Sequence, residues 1–529
     1  NIEAFELILD HMGNLGSYAH ALVSTDTTNA VYLKAFNQVE DLLLVLKPLS
    51  VRFMRHLAKR EDEIKDRGAD DPYAYVLQGL LIEQKHLMSD ELEEFAADLA
   101  RSSWDAFSRL QQSLGSSISA EWEDGRMKTV VELRNMATDG DRAIRKRAFE
   151  KELELLEIHE EAFAAALNGV KGATISLNAR RGWGSPLERS IFQSRIDSEI
   201  LSALIATLEE AVPLFRSYLK KKAELLGLEN LAFYDLFAPV GKSAKRYSYE
   251  DAQAFIVEHF SRFSEAMGKF AQNAFEKNWI DPEPRKGKVG GAYDISFPVA
   301  KESRILSNFD YTYSGVSTIA HELGHAYHDS KVMQRGGLLA NYPMPLAETA
   351  SIFCEGLIFR GALEEADEEE RIALIEAFLQ DSTQVCLDIL SRFYFEEEVF
   401  KRRKEGDITA SELNEMMLDA QKRTYGPALD VYHPYMWAVK SHYYRPEFSH
   451  YNYPYAFGQL FGLGLSKRSE DDPSAFVDKY DALLSVSGMK SVRDVGLEAG
   501  IDLRDRSFWQ EGIEVIARYV EEFKSASPH

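Results

Sequence analysis

His321, Glu322 and His325 form the pattern H-E-x-x-H within Gly315 to His328, which reads Gly-Val-Ser-Thr-Ile-Ala-His-Glu-Leu-Gly-His-Ala-Tyr-His. On an α-helix, residues four apart share a face, so both imidazoles can offer a nitrogen to one ion. Glu322 lies about 100° round the helix from His321, beside such an ion without binding it. A carboxylate there can take a proton from a metal-activated water, and the arrangement predicts a zinc hydrolase. In a chain of 529 residues with 13 histidines, chance supplies this pattern roughly 0.03 times. The competing reading is a solvated helix, or core histidines bonded to backbone. Val316, Ile319, Ala320 and Leu323 predict a buried helix, and buried histidines need partners. Ser314 or Asp310 is placed to cap its start. Gly324 weakens a helix, which predicts close approach of another backbone or side chain.

A catalytic zinc takes three protein ligands and keeps a fourth position open. Downstream, Pro343-Met344-Pro345 stops one element and starts a helix, with Pro345 suited to its first turn. Glu348 follows in that turn and shares a face with Ser351 and Glu355 at i, i+3 and i+7. An antiparallel return of the chain sets this face against the histidines. Glu348 is then the third ligand, and Glu355 accepts an imidazole N–H, with Ser351 on the same face. A solvated carboxylate pair is the alternative, and the apolar Ile352, Phe353 and Cys354 argue against it.

A third cluster lies between His442 and Gly458, where tyrosines crowd around His442 and His450. Amide hydrolysis develops an oxyanion that needs hydrogen-bond donors, and Tyr O–H or His N–H can supply them. The plain alternative is core packing with satisfied hydroxyls. His450 reads as structural.

Together these segments resemble the thimet oligopeptidase family of zinc metallopeptidases, in particular its oligoendopeptidase F group. The resemblance rests on His-Glu-Leu-Gly-His-Ala-Tyr-His from His321, on Glu-Thr-Ala-Ser-Ile-Phe-Cys-Glu from Glu348, and on Gly290-Gly291-Ala292-Tyr293 through Ser307-Asn308-Phe309. It continues in His442-Tyr443-Tyr444 and in Tyr451-Asn452-Tyr453-Pro454-Tyr455-Ala456-Phe457-Gly458. It implies one zinc per chain and catalytic roles for His442, Tyr451 and Tyr455. Which of Tyr451, Tyr453 and Tyr455 touches the oxyanion stays open, because a further family tyrosine falls where this chain has Gly458. It also implies peptide binding by Gly290, Gly291 and Ala292, with Tyr453 at the substrate. The implied activity is endopeptidase cleavage of short oligopeptides. The rivals are an exopeptidase (dipeptidyl carboxypeptidase or aminopeptidase) at the same zinc, and a non-catalytic, metal-stabilised peptide-binding protein. Cobalt or manganese could replace zinc.

The elements that must position these residues are mostly helical. Amphipathic stretches such as Ala30 to Leu46, Asp90 to Leu110, Asp141 to Ala179, Ser198 to Leu226 and Tyr249 to Phe275 have helical spacing. Strands are expected at Lys286 to Tyr293 and Ser303 to Asn308, just before the zinc helix. The edge of such a sheet can pair with an extended peptide, and bare glycines let it approach. Beyond Glu355 the chain reads as helical to about Arg403. The expected fold is mainly α: a two-lobed, multi-helix metallopeptidase with a small β-sheet beside the zinc helix and the active site in a deep channel. A helical lobe over 1–104 precedes a catalytic domain over 105–529, with the zinc helix at about 315–329 and the ligand helix at about 345–363.

Composition sets the outer bounds. With 45% hydrophobic residues the chain can bury a large core. Net charge −24 disfavours nucleic acid or anionic membrane as partners, since both need clustered Lys and Arg. Two cysteines exclude a disulfide framework and suit a reducing cytoplasm. No apolar run is long enough for a transmembrane helix, and the acidic stretch Ile2 to Glu6 is unlike a signal peptide. Monomer and homo-oligomer are equally open.

Overall fold

The computed structural model describes residues 2–68, 70–241, 245–471 and 473–526. Helices take up 71% of the chain and the sheets are few and small, so the mainly α-helical expectation holds. Contacts divide the chain into two compact units. One comprises Asn1–Lys85, Ala244–Ala366 and Gly458–Gly512; the other comprises His86–Ser243, Asp367–Phe457 and Ile513–His529. Both units draw on distant stretches, so this division cuts across the chain-order boundary expected at residue 104.

The first unit holds the H-E-x-x-H segment. The histidine helix spans Tyr313–Val332, and its N-cap is Thr312, whose Oγ1 accepts from the Gly315 amide at 3.2 Å. Asp310 supports that cap by accepting from the Thr312 hydroxyl at 2.6 Å, so neither expected residue is the cap itself. Val316, Ile319, Ala320, Leu323 and Ala326 are fully buried, which fixes the helix by packing rather than by propensity. The glutamate helix spans Met344–Glu365, with Pro343 as N-cap and Pro345 in the first turn. The two cross antiparallel at Gly324, where a Cβ would lie 2.6 Å from the Ala350 carbonyl oxygen and 2.7 Å from Ser351 Cα. Only glycine allows that approach.

Beside the histidine helix lies a three-stranded sheet of order β1-β3-β2. β1 (Ile280–Asp281) runs parallel to β3 (Glu302–Leu306), and β2 (Tyr293–Phe297) runs antiparallel to β3 at an edge. The strand expected over Lys286 to Tyr293 is mostly loop. Gly287 and Gly291 have φ of 91° and 78°, left-handed values that interrupt an extended chain. The loop is nonetheless pinned: Lys288 Nζ donates to the Ser307 carbonyl at 2.6 Å, and Asn308 Nδ2 donates to the carbonyls of Val289 and Gly291. Helix Ile2–Thr25 packs along β2, where Ser17 Oγ donates to the Ser296 carbonyl at 2.7 Å. The single helix expected from Tyr249 to Phe275 is two, Tyr249–Phe263 and Glu265–Glu276, broken at the extended Ser264. At that corner a Cβ on Gly268 would collide with the Ser261 side chain.

The second unit is built on helices Arg142–Arg180 and Ser198–Leu225, capped by Asp141 and Asp197. Asp90 to Leu110 is likewise two helices, Asp90–Ala100 and Trp104–Ser117. The segment expected to be helical to about Arg403 comprises, after the glutamate helix, Glu368–Thr383, a π-turn at Gln384–Asp388 and Ile389–Arg403. Buried ion pairs tie these helices, with Lys171 on Glu396 and Lys222 on Glu376, each at 2.5 Å. Among the described residues, no helix is long and apolar enough to cross a membrane.

Candidate active site

The antiparallel crossing brings His321, His325 and Glu348 together in the first unit, with one ligand atom from each within 4.8 Å of the others. His321 Nε2 lies 3.1 Å from His325 Nε2 and 3.3 Å from Glu348 Oε2, and His325 Nε2 lies 3.5 Å from the same oxygen. Tetrahedral zinc with bonds of about 2.0–2.1 Å has ligand–ligand edges of roughly 3.3 Å. The triangle has that size. His321 also contacts Glu355, through Nδ1 on Oε1. Two imidazole nitrogens and one carboxylate oxygen converge at these distances, and that donor set fits zinc. Glu348 Oε2 accepts from Ser351 Oγ at 2.9 Å, which orients the carboxylate.

Electrostatics within the group are strong. Burial opposes the charge on Glu348, but its hydrogen bond to His321 and the charges of both histidines hold its carboxyl down to about 2. Burial pulls His325 down to about 4. For His321 the contacts with Glu348 and Glu355 outweigh burial and raise it well above the usual imidazole value. Glu322 is 6% exposed, and burial raises its carboxyl to about 7, against the attraction of His321 and with help from the charge of Glu348.

The remaining expected residues divide. A Cβ at Gly290 or Gly291 would meet nothing within 4 Å, so the Gly290–Ala292 loop faces open space. In the second unit, His442 sits in a short turn, Ser441–Tyr444, with Nε2 3.5 Å from the Tyr455 hydroxyl and its ring 5.2 Å from that of Tyr451. Burial, then Arg392, Lys440 and Arg445, push its imidazole down to about 4, so it is neutral at ordinary pH. Tyr453, expected at the substrate, is instead 1% exposed and its hydroxyl donates to Ser194 Oγ at 2.7 Å. Core packing takes it out of reach of a peptide. His450 is buried against Glu397 at 2.6 Å, a structural residue. Gly458 stands where a Cβ would lie 2.7 Å from that of Glu348, so no tyrosine fits there.

The family model for peptidase family M3 matches residues 135–515. Oligopeptidase PepF of Bacillus subtilis is 24% identical over 532 residues, covering 97% of this chain and 78% of its own length. An oligoendopeptidase F homolog of Borreliella burgdorferi is 23% identical over 538 residues, covering 98% of this chain and 89% of its own. The crystal structure of oligoendopeptidase-F from Enterococcus faecium superposes with a TM-score of 0.72 at 19% identity, over 98% of this chain and 91% of that one.

Proposed function

We propose that this chain, which belongs to peptidase family M3 and is thus a peptidase, is a zinc-dependent endopeptidase that cuts internal bonds of short oligopeptides. The observation that carries the reading is the triangle of His321, His325 and Glu348 with the buried Glu322 carboxyl next to it in sequence. Zinc held by those three side chains would supply a Lewis acid for the scissile carbonyl and for an attacking water.

The chain's own residues do the rest. Glu355 takes the Nδ1–H of His321, which fixes the tautomer and leaves Nε2 as the ligand atom. Ser351 holds Glu348 in its rotamer through the bond to Oε2. Glu322 accepts a proton from the water as the new C–O bond forms. It then delivers that proton to the amine nitrogen as the C–N bond breaks. His442, Tyr451 and Tyr455 are the candidate donors to the oxyanion, and the neutral imidazole of His442 suits that role.

Backbone pairing with the substrate falls to Gly290, Gly291 and Ala292. Along β2 itself the C=O of Ser296 already has a partner in the Ser17 hydroxyl. Two buried free thiols, Cys354 and Cys386, suit a reducing cytoplasm. Chelation followed by return of zinc, cobalt or manganese, with product masses read on peptides of graded length, tests the proposal. Internal cleavage that disappears with the chelator and returns with zinc supports it. Stepwise trimming from one end refutes the endopeptidase reading.

A further inference from the structure

From Ser449 to Phe457 every residue is buried except Tyr451 and Tyr455. Those two rings stand 5.9 Å apart, and they reach the His442 ring at 5.2 and 5.9 Å. These three side chains are the candidate oxyanion donors, so whatever holds the buried residues between them decides where the donors sit. Two holds follow Tyr451: Arg392 Nη1 donates to Asn452 Oδ1 at 3.4 Å, and the Tyr453 hydroxyl donates to Ser194 Oγ at 2.7 Å.

The firmest hold comes immediately before Tyr451. His450 has φ of 53°, in the left-handed region. Among the described residues, five non-glycine residues have a left-handed φ, and His450 is the buried one, 2% exposed. That backbone is unfavourable for a residue with a Cβ and persists only where the surroundings over-determine it. Here the surroundings are one face of the helix Ile389–Arg403, where Phe393, Glu397 and Phe400 follow at i, i+4 and i+7. The Phe393 and Phe400 rings lie 5.9 and 5.3 Å from the imidazole, and His450 Nε2 donates to Glu397 Oε1 at 2.6 Å. Sequence reasoning marked none of these three helix residues, although their spacing already placed them on one face.

A single left-handed residue turns the chain sharply. The His450 side chain is thereby seated on the helix while the ring of the next residue meets His442. We propose that His450, gripped by Glu397, is a positioning residue whose fixed left-handed turn aims Tyr451 at His442 and so sets these donors for the oxyanion. Neither His450 nor Glu397 touches a reacting atom, and the catalytic consequence rests on the peptidase reading above. Glu397 is exposed, so the grip can be released from the surface without opening the core.

The test has two arms. Fluorine NMR of metal-free protein carrying fluorotyrosine, with the Tyr451 signal assigned by its loss in Tyr451→Phe, reads the turn independently of any activity. Glu397→Ala should shift that signal, and Glu397→Gln, which keeps an acceptor oxygen toward Nε2, should leave it in place. A Tyr451 signal unmoved in Glu397→Ala overturns the proposal. In the peptidase assay, Glu397→Ala should lower kcat by about tenfold with KM nearly unchanged, because a displaced donor is lost in the transition state rather than in binding. Glu397→Gln should retain kcat within about threefold. His450→Phe keeps a ring on the helix but lacks the N–H, so it should match Glu397→Ala, and the double variant should lose no more than either single one. Wild-type kcat in Glu397→Ala, a Glu397→Gln protein as impaired as Glu397→Ala, or losses that multiply in the double variant overturn the positioning role. If phenylalanine prevents folding, the two Glu397 variants give the comparison by themselves. Inactivity of the wild type under every metal refutes the peptidase reading and leaves the fluorine arm standing on its own.

Discussion

Gly324→Ala separates the packing of the site from its chemistry. In a free helix this change is favourable by about 1 kcal/mol, since alanine is the better helix former. Here the new Cβ would stand 2.6 Å from the Ala350 carbonyl oxygen, 2.7 Å from Ser351 Cα and 2.9 Å from Ala350 C. All three are backbone atoms of the glutamate helix, so no side chain can swing away. Ordinary contact begins at 3.4 Å, and the helices must part by about 0.8 Å to reach it. Overpacking of this kind costs typically 1–3 kcal/mol, and with backbone on both sides the upper end applies. A net loss of about 2 kcal/mol is expected in urea unfolding of metal-free protein. The same 0.8 Å moves Glu348 away from His321 and His325, well outside the roughly 0.2 Å tolerance of a zinc ligand set. Zinc affinity, read by competition with a chromophoric chelator, should fall more than tenfold. Gly79→Ala is the control: it lies inside helix Ala74–Lys85, its Cβ meets nothing within 4 Å, and it should stabilise by about 0.5–1 kcal/mol. A Gly324→Ala protein as stable as wild type and with full zinc affinity would refute the close crossing.

Three further outcomes follow from individual contacts. Glu355→Ala should weaken zinc binding by about 10–100-fold, seen in the same competition, because His321 loses the acceptor that fixes its tautomer. Tyr453→Phe should cost about 1 kcal/mol of stability with KM unchanged, whereas Tyr455→Phe should lower kcat by about 10–100-fold with Tm unchanged. His328 is fully buried, its Nε2 on Ser487 Oγ at 2.7 Å, and burial pushes it down to about 3. Its folded form stays neutral while the unfolded chain gains a proton below about 6.5, so stability is intact above that pH and falls as pH drops toward 3. Near pH 5 the cost is roughly 2 kcal/mol, and urea midpoints of His328→Asn against wild type should show a shallower acid slope in the variant.

The helical elements were legible in sequence because buried apolar residues recur at helical spacing, as in Val316, Ile319, Ala320 and Leu323. The meeting of Glu348 with the two histidines was legible for the same reason: i, i+3 and i+7 spacing on one helix and i, i+4 on the other need only one antiparallel turn. Breaks were harder to see. Ser264 splits a continuous amphipathic pattern, because one extended residue changes direction without disturbing composition. The strand expected over Lys286 to Tyr293 is mostly loop because Gly287 and Gly291 adopt left-handed φ, a backbone property that tertiary contacts select. Tyr453 was indistinguishable from Tyr451 and Tyr455 until its hydroxyl was seen on Ser194.

The central claim is that Glu322 moves the proton in a zinc-dependent internal cleavage. Mass spectrometry of products from graded peptides and one folded protein, with zinc-loaded wild type beside Glu322→Gln, tests it most directly. The account predicts internal cuts in short peptides only, lost in the variant while zinc content stays equal. Cleavage by Glu322→Gln at the wild-type rate, or no cleavage by wild type under any metal, would contradict it.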